Sequence, residues 1–256
     1  MLGGSIVVIK VILNMIRAVI KISGISRTDL YIKYYRFRRG NENISHLLEK
    51  TLKQRFEKIY EDKVWVNQPN ARALSGNGSE LENTVNLRIE LPKIVSQLGI
   101  TNLLDIGCGD WNWMSQITLP CCYIGVDIVE SVIKTNMTSY GGPSTSFFVL
   151  DAVVDPLPVC DAVLLREVIF HLSISDIHRL IKNIFQTNPL YLLITSDPDV
   201  KKNDDIVSGD FRMLNLEIKP FFFPKPLMII NDNATTSARY IGVWKTSDLR
   251  LTNMFS

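Results

Sequence analysis

The apolar and polar positions of the chain predict alternating strands and helices from about residue 80 onward. Short, nearly continuous apolar runs predict strands at 102–106, 122–128, 146–151, 160–166 and 190–196. Helical spacing of apolar residues predicts helices at 80–98, 111–118, 129–139 and 174–187. Because strands alternate with helices, we expect a mostly parallel sheet covered on both faces.

The end of the chain has a different pattern. The runs "LMIIND" and "RYIGVWKT" are joined by a loop too short for a helical crossover, so they should pair antiparallel. The predicted fold class is therefore α/β: a doubly wound, mostly parallel seven-stranded sheet ending in an antiparallel hairpin, with an N-terminal helical extension. The long segment 197–226 has no regular pattern, and its aromatic residues fit either a pocket wall or core packing for the hairpin.

Residues 1–26 have the pattern of an amphipathic helix. Lys10, Asn14, Arg17 and Lys21 fall within about 60° on a helical wheel and leave a wide apolar face. This pattern favours a helix lying in a membrane interface through residues 1–24. Insertion across a membrane is nearly balanced energetically, and docking on the main domain is the other alternative.

Charge is distributed unevenly along the chain, although the net charge is only +2. Residues 1–60 contain 12 Lys and Arg against 4 Asp and Glu. We therefore predict a basic helical extension at 27–70 ahead of a main domain at 71–256. Such an arm suits an anionic membrane or, less favoured here, a nucleic acid, and a solvated basic helix without a partner is the plain alternative.

The cysteines and the basic string "YIKYYRFRR" both bear on the compartment. None of the four cysteine spacings resembles a zinc knuckle or a disulfide framework, which favours a reducing compartment. The positive charges after the first segment would keep the main domain cytosolic. We expect a cytoplasmic protein, either free or held at a membrane surface.

Acidic residues follow the first three predicted strands. Asp105, Asp127 and Asp151 stand at these strand ends, where ligands bind in open parallel sheets. Asp127 comes 22 residues after Asp105, a spacing that fits a carboxylate reaching a ribose. Gly107 and Gly109 allow the backbone to come close to a ligand.

The stretch "GCGDWNWM" lacks the third glycine of a dinucleotide site, which argues against a nicotinamide oxidoreductase. Two indoles and the carboxylates of Asp105 and Asp110 instead suit a ligand with positive charge. We assign Trp111 to the ligand and Trp113 to the core, with the opposite assignment open for each.

The strings "LLDIGCGDWNWM", "YIGVDI", "FFVLDAV" and "DAVLLREVIFHLS", in this order and followed by a terminal hairpin, resemble the class I S-adenosylmethionine-dependent methyltransferases. The resemblance covers about residues 75–246. It implies that the cofactor is S-adenosylmethionine, with Asp105, Gly107 and Gly109 around its methionine portion, Asp127 on the ribose hydroxyls and Asp151 near the adenine. We add the neighbouring residues Cys108, Ile128 and Ala152 to the cofactor set. We also keep Trp111 in it, although family members commonly have a small residue at that position. Helix capping by Asp127 and a turn role for Asp151 are the structural alternatives.

Two residues after the fourth strand are catalytic candidates. His171 is our choice of base, because its ordinary pKa is near neutrality, and a purely structural histidine is the alternative. Arg166 could clamp an anionic acceptor or pair with Asp197 or Glu167. No histidine and carboxylate cluster demands a metal.

We expect methyl transfer to an oxygen of a small molecule or glycan. Transfer to RNA or protein, and a methyltransferase-like binding protein without turnover, remain alternatives. The sequence leaves the oligomeric state open.

Overall fold

The computed structural model describes residues 44–66, 70–234 and 238–250. Its strands are β1 (Asn102–Ile106), β2 (Cys122–Asp127), β3 (Thr145–Val149), β4 (Ala162–Leu165), β5 (Tyr191–Ser196), β6 (Met228–Asn231) and β7 (Tyr240–Lys245). Its α-helices are α1 (Leu52–Glu61), α2 (Val85–Gln97), α3 (Glu130–Tyr140), α4 (Ile174–Gln186) and α5 (Thr246–Arg250).

The seven strands form one sheet in the order β3-β2-β1-β4-β5-β7-β6. The first five strands pair in parallel, and β7 lies antiparallel between β5 and β6. The predicted fold class is confirmed, including the antiparallel hairpin at the end.

Burial explains why the strands have continuous apolar runs. All four residues of β4 are buried, because helices cover both faces of the sheet. Alternate strand residues belong to two core layers: Leu104 packs in one with α4, and Leu103 packs in the other with α2. Ser173 caps α4 by accepting a hydrogen bond from the Asp176 amide at 3.1 Å.

The predicted helix 111–118 is wrong in kind and length. Only a 3-10 turn, Met114–Gln116, forms there. The backbone is left-handed at Gly109 (φ 57°) and again at Trp111 (φ 56°), so an α-helix cannot begin at Trp111. The helix predicted at 80–98 likewise begins only at Val85, after two 3-10 turns.

The described part of the N-terminal extension is helical, as predicted. A 3-10 turn, Ser45–Leu48, precedes α1, which begins with a capping box of Thr51 and Gln54. Leu52 and Phe56 of α1 pack against the main core. The boundary at residue 70 stays a prediction, but α1 is packed on the main domain.

The amphipathic segment 1–26 and residues 27–43 and 67–69 of the basic extension lie outside the described residues. Within the described ranges, no helix is long and apolar enough to cross a membrane. All four cysteines are free thiols. Membrane contact and cytoplasmic location remain predictions.

Candidate active site

The strand-end aspartates converge on one cavity at the carboxyl ends of β1 to β4, which we call the inner cavity. The sequence-predicted residues that line it are Asp105, Gly107, Cys108, Gly109, Asp127, Ile128, Asp151, Ala152, Arg166 and His171. Of the residues predicted to face the ligand, Trp111 and Asp110 are not on its wall. The three carboxylates therefore share a cleft, as the sequence interpretation requires.

Asp105 is a nearly dehydrated carboxyl group. It is 5% exposed and accepts a 2.6 Å hydrogen bond from the Tyr123 hydroxyl. Burial raises the pKa of Asp105 to about 7, although the bond from Tyr123 opposes this. A cation bound beside it would favour the charged form.

Asp127 connects the glycine loop to the start of α3. Its two oxygens accept hydrogen bonds from the amides of Gly109 (3.1 Å) and Val129 (3.0 Å). Burial raises the pKa of Asp127, while these backbone donors act in the opposite direction. The capping interpretation is thus partly right, since Asp127 holds the turn before α3 and lines the cavity as well.

The two glycines serve close packing between protein segments. Both have positive φ, 71° at Gly107 and 57° at Gly109. A Cβ on Gly107 would lie 2.5 Å from the Val168 side chain, and one on Gly109 would collide with Ser75. The loop can therefore pass between neighbouring segments at the cavity wall only without side chains at these positions.

Only one of the two tryptophan assignments holds: Trp113 is a buried core residue, as predicted, whereas Trp111 does not line the cavity. Trp111 packs in an aromatic cluster with Tyr123, Tyr140 and Phe147, at ring centroid distances of 5.5, 4.8 and 5.3 Å. Trp113 lines the inner cavity, with the Arg166 guanidinium 5.4 Å from its ring centre. The left-handed backbone at Trp111 accompanies this arrangement.

Asp110 also differs from its predicted role beside the ligand. Its carboxylate accepts hydrogen bonds from the Leu74 amide and the Ser75 hydroxyl, the latter at 2.9 Å. The Ser75 hydroxyl in turn lies 2.9 Å from the Tyr60 hydroxyl. Asp110 therefore ties the loop after α1 to the glycine loop.

The third strand end provides a more open part of the cavity. Asp151 is half-buried, and it accepts a 3.0 Å hydrogen bond from the Val153 amide. Burial raises the pKa of Asp151. Ile128 and Ala152 line the cavity beside it and add apolar surface.

Arg166 is held in a buried ion pair with Asp232. Its Nε and Nη2 donate to the two Asp232 oxygens at 3.1 Å, and Nη2 also donates to the Gly78 carbonyl at 2.7 Å. Its side chain is 5% exposed. The structure thus favours pairing over an anion clamp, and the partner is Asp232 instead of Asp197 or Glu167.

Glu167 and Arg239 extend this pair into a four-member network. Arg239 forms an ion pair with Glu167 and donates from Nε to the Asp232 carbonyl at 2.9 Å. Burial disfavours the charged form of Glu167, but Arg166 and Arg239 lower its pKa overall. The network joins the end of β4 to the connection between β6 and β7, where Asp232 follows β6 and Arg239 precedes β7.

His171 lies at the cavity wall with a defined tautomer. Its Nδ1 is 3.0 Å from the Asp210 backbone carbonyl, which can only accept, so Nδ1 carries the proton. Burial lowers the pKa of His171 below its ordinary 6.5. At neutral pH the imidazole is uncharged and its Nε2 has a free lone pair.

Several cavity residues were not predicted from the sequence. Phe56, Tyr60, Trp65 and Ser75, from α1 and the segment after it, line the inner cavity. The Trp65 ring lies 4.7 Å from that of His171. Of these four residues, only Ser75 lies within the range 75–246 that the family resemblance covers.

A second, wider cavity of about 810 Å³ adjoins the first, and we call it the outer cavity. Trp65, Ser75, Glu167 and His171 line both. Phe211 also lines it, so the segment 197–226 does contribute a wall. The aromatic run "FFFPKP" instead packs mostly in the core, with Phe221 and Phe223 buried. Within the described residues, no cluster of side chains is arranged to hold a metal.

Neither a protein-family model nor a curated protein matches this sequence. Among solved structures, the chain is similar to the Burkholderia thailandensis 1,6-didemethyltoxoflavin-N1-methyltransferase, solved with 1,6-didemethyltoxoflavin and S-adenosylhomocysteine bound. That similarity has 13% identity and a TM-score of 0.52, and it covers 76% of this chain and 86% of the other.

Two weaker similarities have TM-scores of 0.46. Human N-acetylserotonin methyltransferase, in complex with S-adenosylmethionine, is 15% identical over 82% of this chain and 60% of its own. The [4+2]-cyclase SpnF is 18% identical over 66% of this chain and 70% of its own. Together with the strand order described above, the similarity to the Burkholderia enzyme shows that this chain has the class I methyltransferase fold.

Proposed function

We propose that this chain, which has the class I methyltransferase fold, binds S-adenosylmethionine in the inner cavity and transfers its methyl group to an oxygen of a small molecule or glycan. The convergence of Asp105, Asp127 and Asp151 on one cavity supports the proposal most directly. A fold alone hosts many reactions, so the argument depends on these residues.

The lining of the inner cavity suits this cofactor. Asp105 can take its ammonium group, since a cation favours the ionised form of a dehydrated carboxyl group. Asp127 can accept from ribose hydroxyls beside the backbone amides it already binds. Ile128, Asp151 and Ala152 offer an apolar slot with one carboxylate for an adenine ring and its amino group.

The cofactor supplies a methyl group on a positively charged sulfur, which leaves as a neutral thioether. His171 would take the proton of an acceptor hydroxyl on Nε2 as that oxygen bonds to the methyl carbon, and the electrons of the broken carbon–sulfur bond stay on sulfur. The Asp210 carbonyl keeps the proton on Nδ1, so Nε2 is the basic atom. His171 lines both cavities, the position that a base between donor and acceptor needs.

Calorimetry with Asp127→Ala tests the cofactor assignment. We expect binding of S-adenosylmethionine to weaken by roughly 1–3 kcal/mol, because the ribose hydroxyls lose a buried acceptor. Asp127→Asn, which keeps one acceptor oxygen, should weaken it less. Asp204→Ala is the control, because this carboxylate is 69% exposed and away from the cavity wall. This variant should bind S-adenosylmethionine with unchanged affinity. Unchanged affinity in a folded Asp127→Ala protein would refute the ribose assignment.

The basic charge of residues 1–60 favours RNA as a second candidate acceptor. Retention of RNA that weakens steeply with added salt, together with methylation of that RNA, would support it. Cofactor binding without transfer to any acceptor would instead favour the binding protein without turnover. We also keep the membrane proposal for residues 1–24, which flotation with anionic vesicles tests.

A further inference from the structure

The outer cavity contains a buried cation with an unused donor. Arg239 is 4% exposed, its Nε and Nη1 bind Asp232 and Glu167, and its Nη2 has no hydrogen-bond partner among the described residues. A buried guanidinium donor without a partner is costly, and Arg239 lines this cavity. Nη2 has almost no exposed surface, so a ligand oxygen accepts from it only after the groups that cover it move aside.

Acceptor groups line the same cavity. Asp210 is 4% exposed, and Glu167 and Asn77 contribute further side-chain oxygens. A ligand facing both Arg239 and these oxygens must accept at one place and donate at another. Hydroxyl groups do both, so a hydroxyl-rich ligand fits this lining better than a purely accepting or purely donating one.

Aromatic rings provide the remaining recognition surface. Trp65 lines the cavity, and Phe211 is 47% exposed on its wall. Both rings lie beside His171, with centroids 4.7 and 5.4 Å from its ring. A molecule with apolar C–H faces between polar edges can pack on such rings while its hydroxyls reach the polar residues.

The charge of the lining argues against a polyanion. Its described side chains include the cations Lys63 and Arg239 and the carboxylates Asp62, Glu167 and Asp210. The three carboxylates outnumber the two cations, whereas sites for phosphate backbones have a clear cationic excess. The cavity therefore suits an uncharged ligand.

We propose that the outer cavity is the acceptor site and that it binds an uncharged, polyhydroxylated molecule, a sugar residue, with one hydroxyl presented to Nε2 of His171. This inference rests on the proposed function, since it names the acceptor class of the same active site. Arg239 binds a sugar oxygen, and Phe211 packs on the face of the sugar ring.

Saturation-transfer NMR on the full chain loaded with S-adenosylhomocysteine tests the proposal. The probes are the methyl α-glycosides of glucose, galactose, mannose and N-acetylglucosamine, at millimolar concentrations. We expect at least one to bind, and Phe211→Ala to weaken that binding about tenfold, the effect of losing one aromatic contact. Phe148→Ala is the matched control, because Phe148 is also 47% exposed but lies on β3 away from both cavities, and it should bind normally.

Arg239→Lys adds a second variant, because it keeps the charge but removes the free Nη2. It should also weaken glycoside binding, provided that its unfolding curve matches that of the parent chain. The Phe211 and Phe148 pair decides the question if Arg239→Lys does not fold. Glycoside binding that is equal in Phe211→Ala and Phe148→Ala would overturn the site assignment.

The outcomes separate this inference from the proposed function. Normal S-adenosylhomocysteine binding without saturation transfer to any glycoside overturns the sugar assignment but leaves the cofactor site standing. Absence of cofactor binding overturns the proposed function itself. Competition by polyuridylic acid against every glycoside would show that the cavity takes a polyanion, and it also overturns the proposal.

Discussion

The protonation state of individual residues gives the site its pH dependence. Asp105 has a pKa of about 7 in the folded protein and an ordinary value of 3.8. The folded form therefore holds a proton between these two values that the unfolded form releases. Stability falls as the pH rises from about 4 through 7.

Asp105→Asn should remove this part of the pH dependence. The parent chain should lose roughly 4 kcal/mol of unfolding free energy from this group between pH 4 and 8, and the variant should lose correspondingly less. Asparagine can still accept from Tyr123, so the contact survives. Urea unfolding at several pH values measures the difference. Identical pH profiles for the two proteins would show that Asp105 is ionised throughout.

His171 should control turnover and leave cofactor affinity nearly unchanged. Once an acceptor substrate is identified, His171→Ala should lower kcat by about 10²-fold or more, which is the ordinary contribution of a general base. Because its pKa lies below 6.5, activity of the parent chain should fall only at acidic pH. Rate measurements across pH and calorimetry with S-adenosylmethionine separate the two roles. A His171→Ala protein with full kcat would make this histidine structural.

At the scale of elements, the Arg166 and Asp232 pair fixes the end of β4 to the end of β6. Arg166→Met should destabilise the fold by about 3 kcal/mol, because Asp232 stays buried with less compensation. The exposed pair of Lys202 and Asp204 is the control, and Lys202→Ala should cost less than 0.5 kcal/mol. Chemical unfolding of both variants gives the comparison, and equal small losses would contradict a structural role for the buried pair.

The strands were predictable because burial on both faces leaves a continuous apolar run, as in β4 and β5. The absence of an α-helix at 111–118 was not predictable, since the sequence does not reveal the left-handed backbone conformation at Trp111. The strand-end aspartates were predictable from spacing. The position of Trp111 depends on packing against α3 and the sheet, which no local pattern encodes.

At the scale of the whole molecule, α1 and the segment after it form part of the wall of the inner cavity. Phe56, Tyr60 and Trp65 reach the inner cavity from more than 35 residues before β1. Sequence composition suggests that this stretch is a separate basic extension. Composition cannot show the contacts of α1 with the inner cavity, because these contacts form only when the chain folds.

A chain that begins at residue 71 should therefore bind S-adenosylmethionine much more weakly than one that begins at residue 44. Removing Leu52 and Phe56 alone should cost roughly 3 kcal/mol or more of unfolding free energy. Calorimetry and urea unfolding of the two chains measure both effects. Equal affinity and stability would place the domain boundary at 70, as the composition suggests.

The position of Trp65 has a practical consequence. Its indole lies against the His171 imidazole and borders both cavities, whereas Trp113 borders the inner cavity alone. A molecule in either cavity therefore alters the surroundings of Trp65, and one in the inner cavity also alters those of Trp113. The order in which the inner and outer cavities fill can then be followed in real time by tryptophan fluorescence, without an attached label.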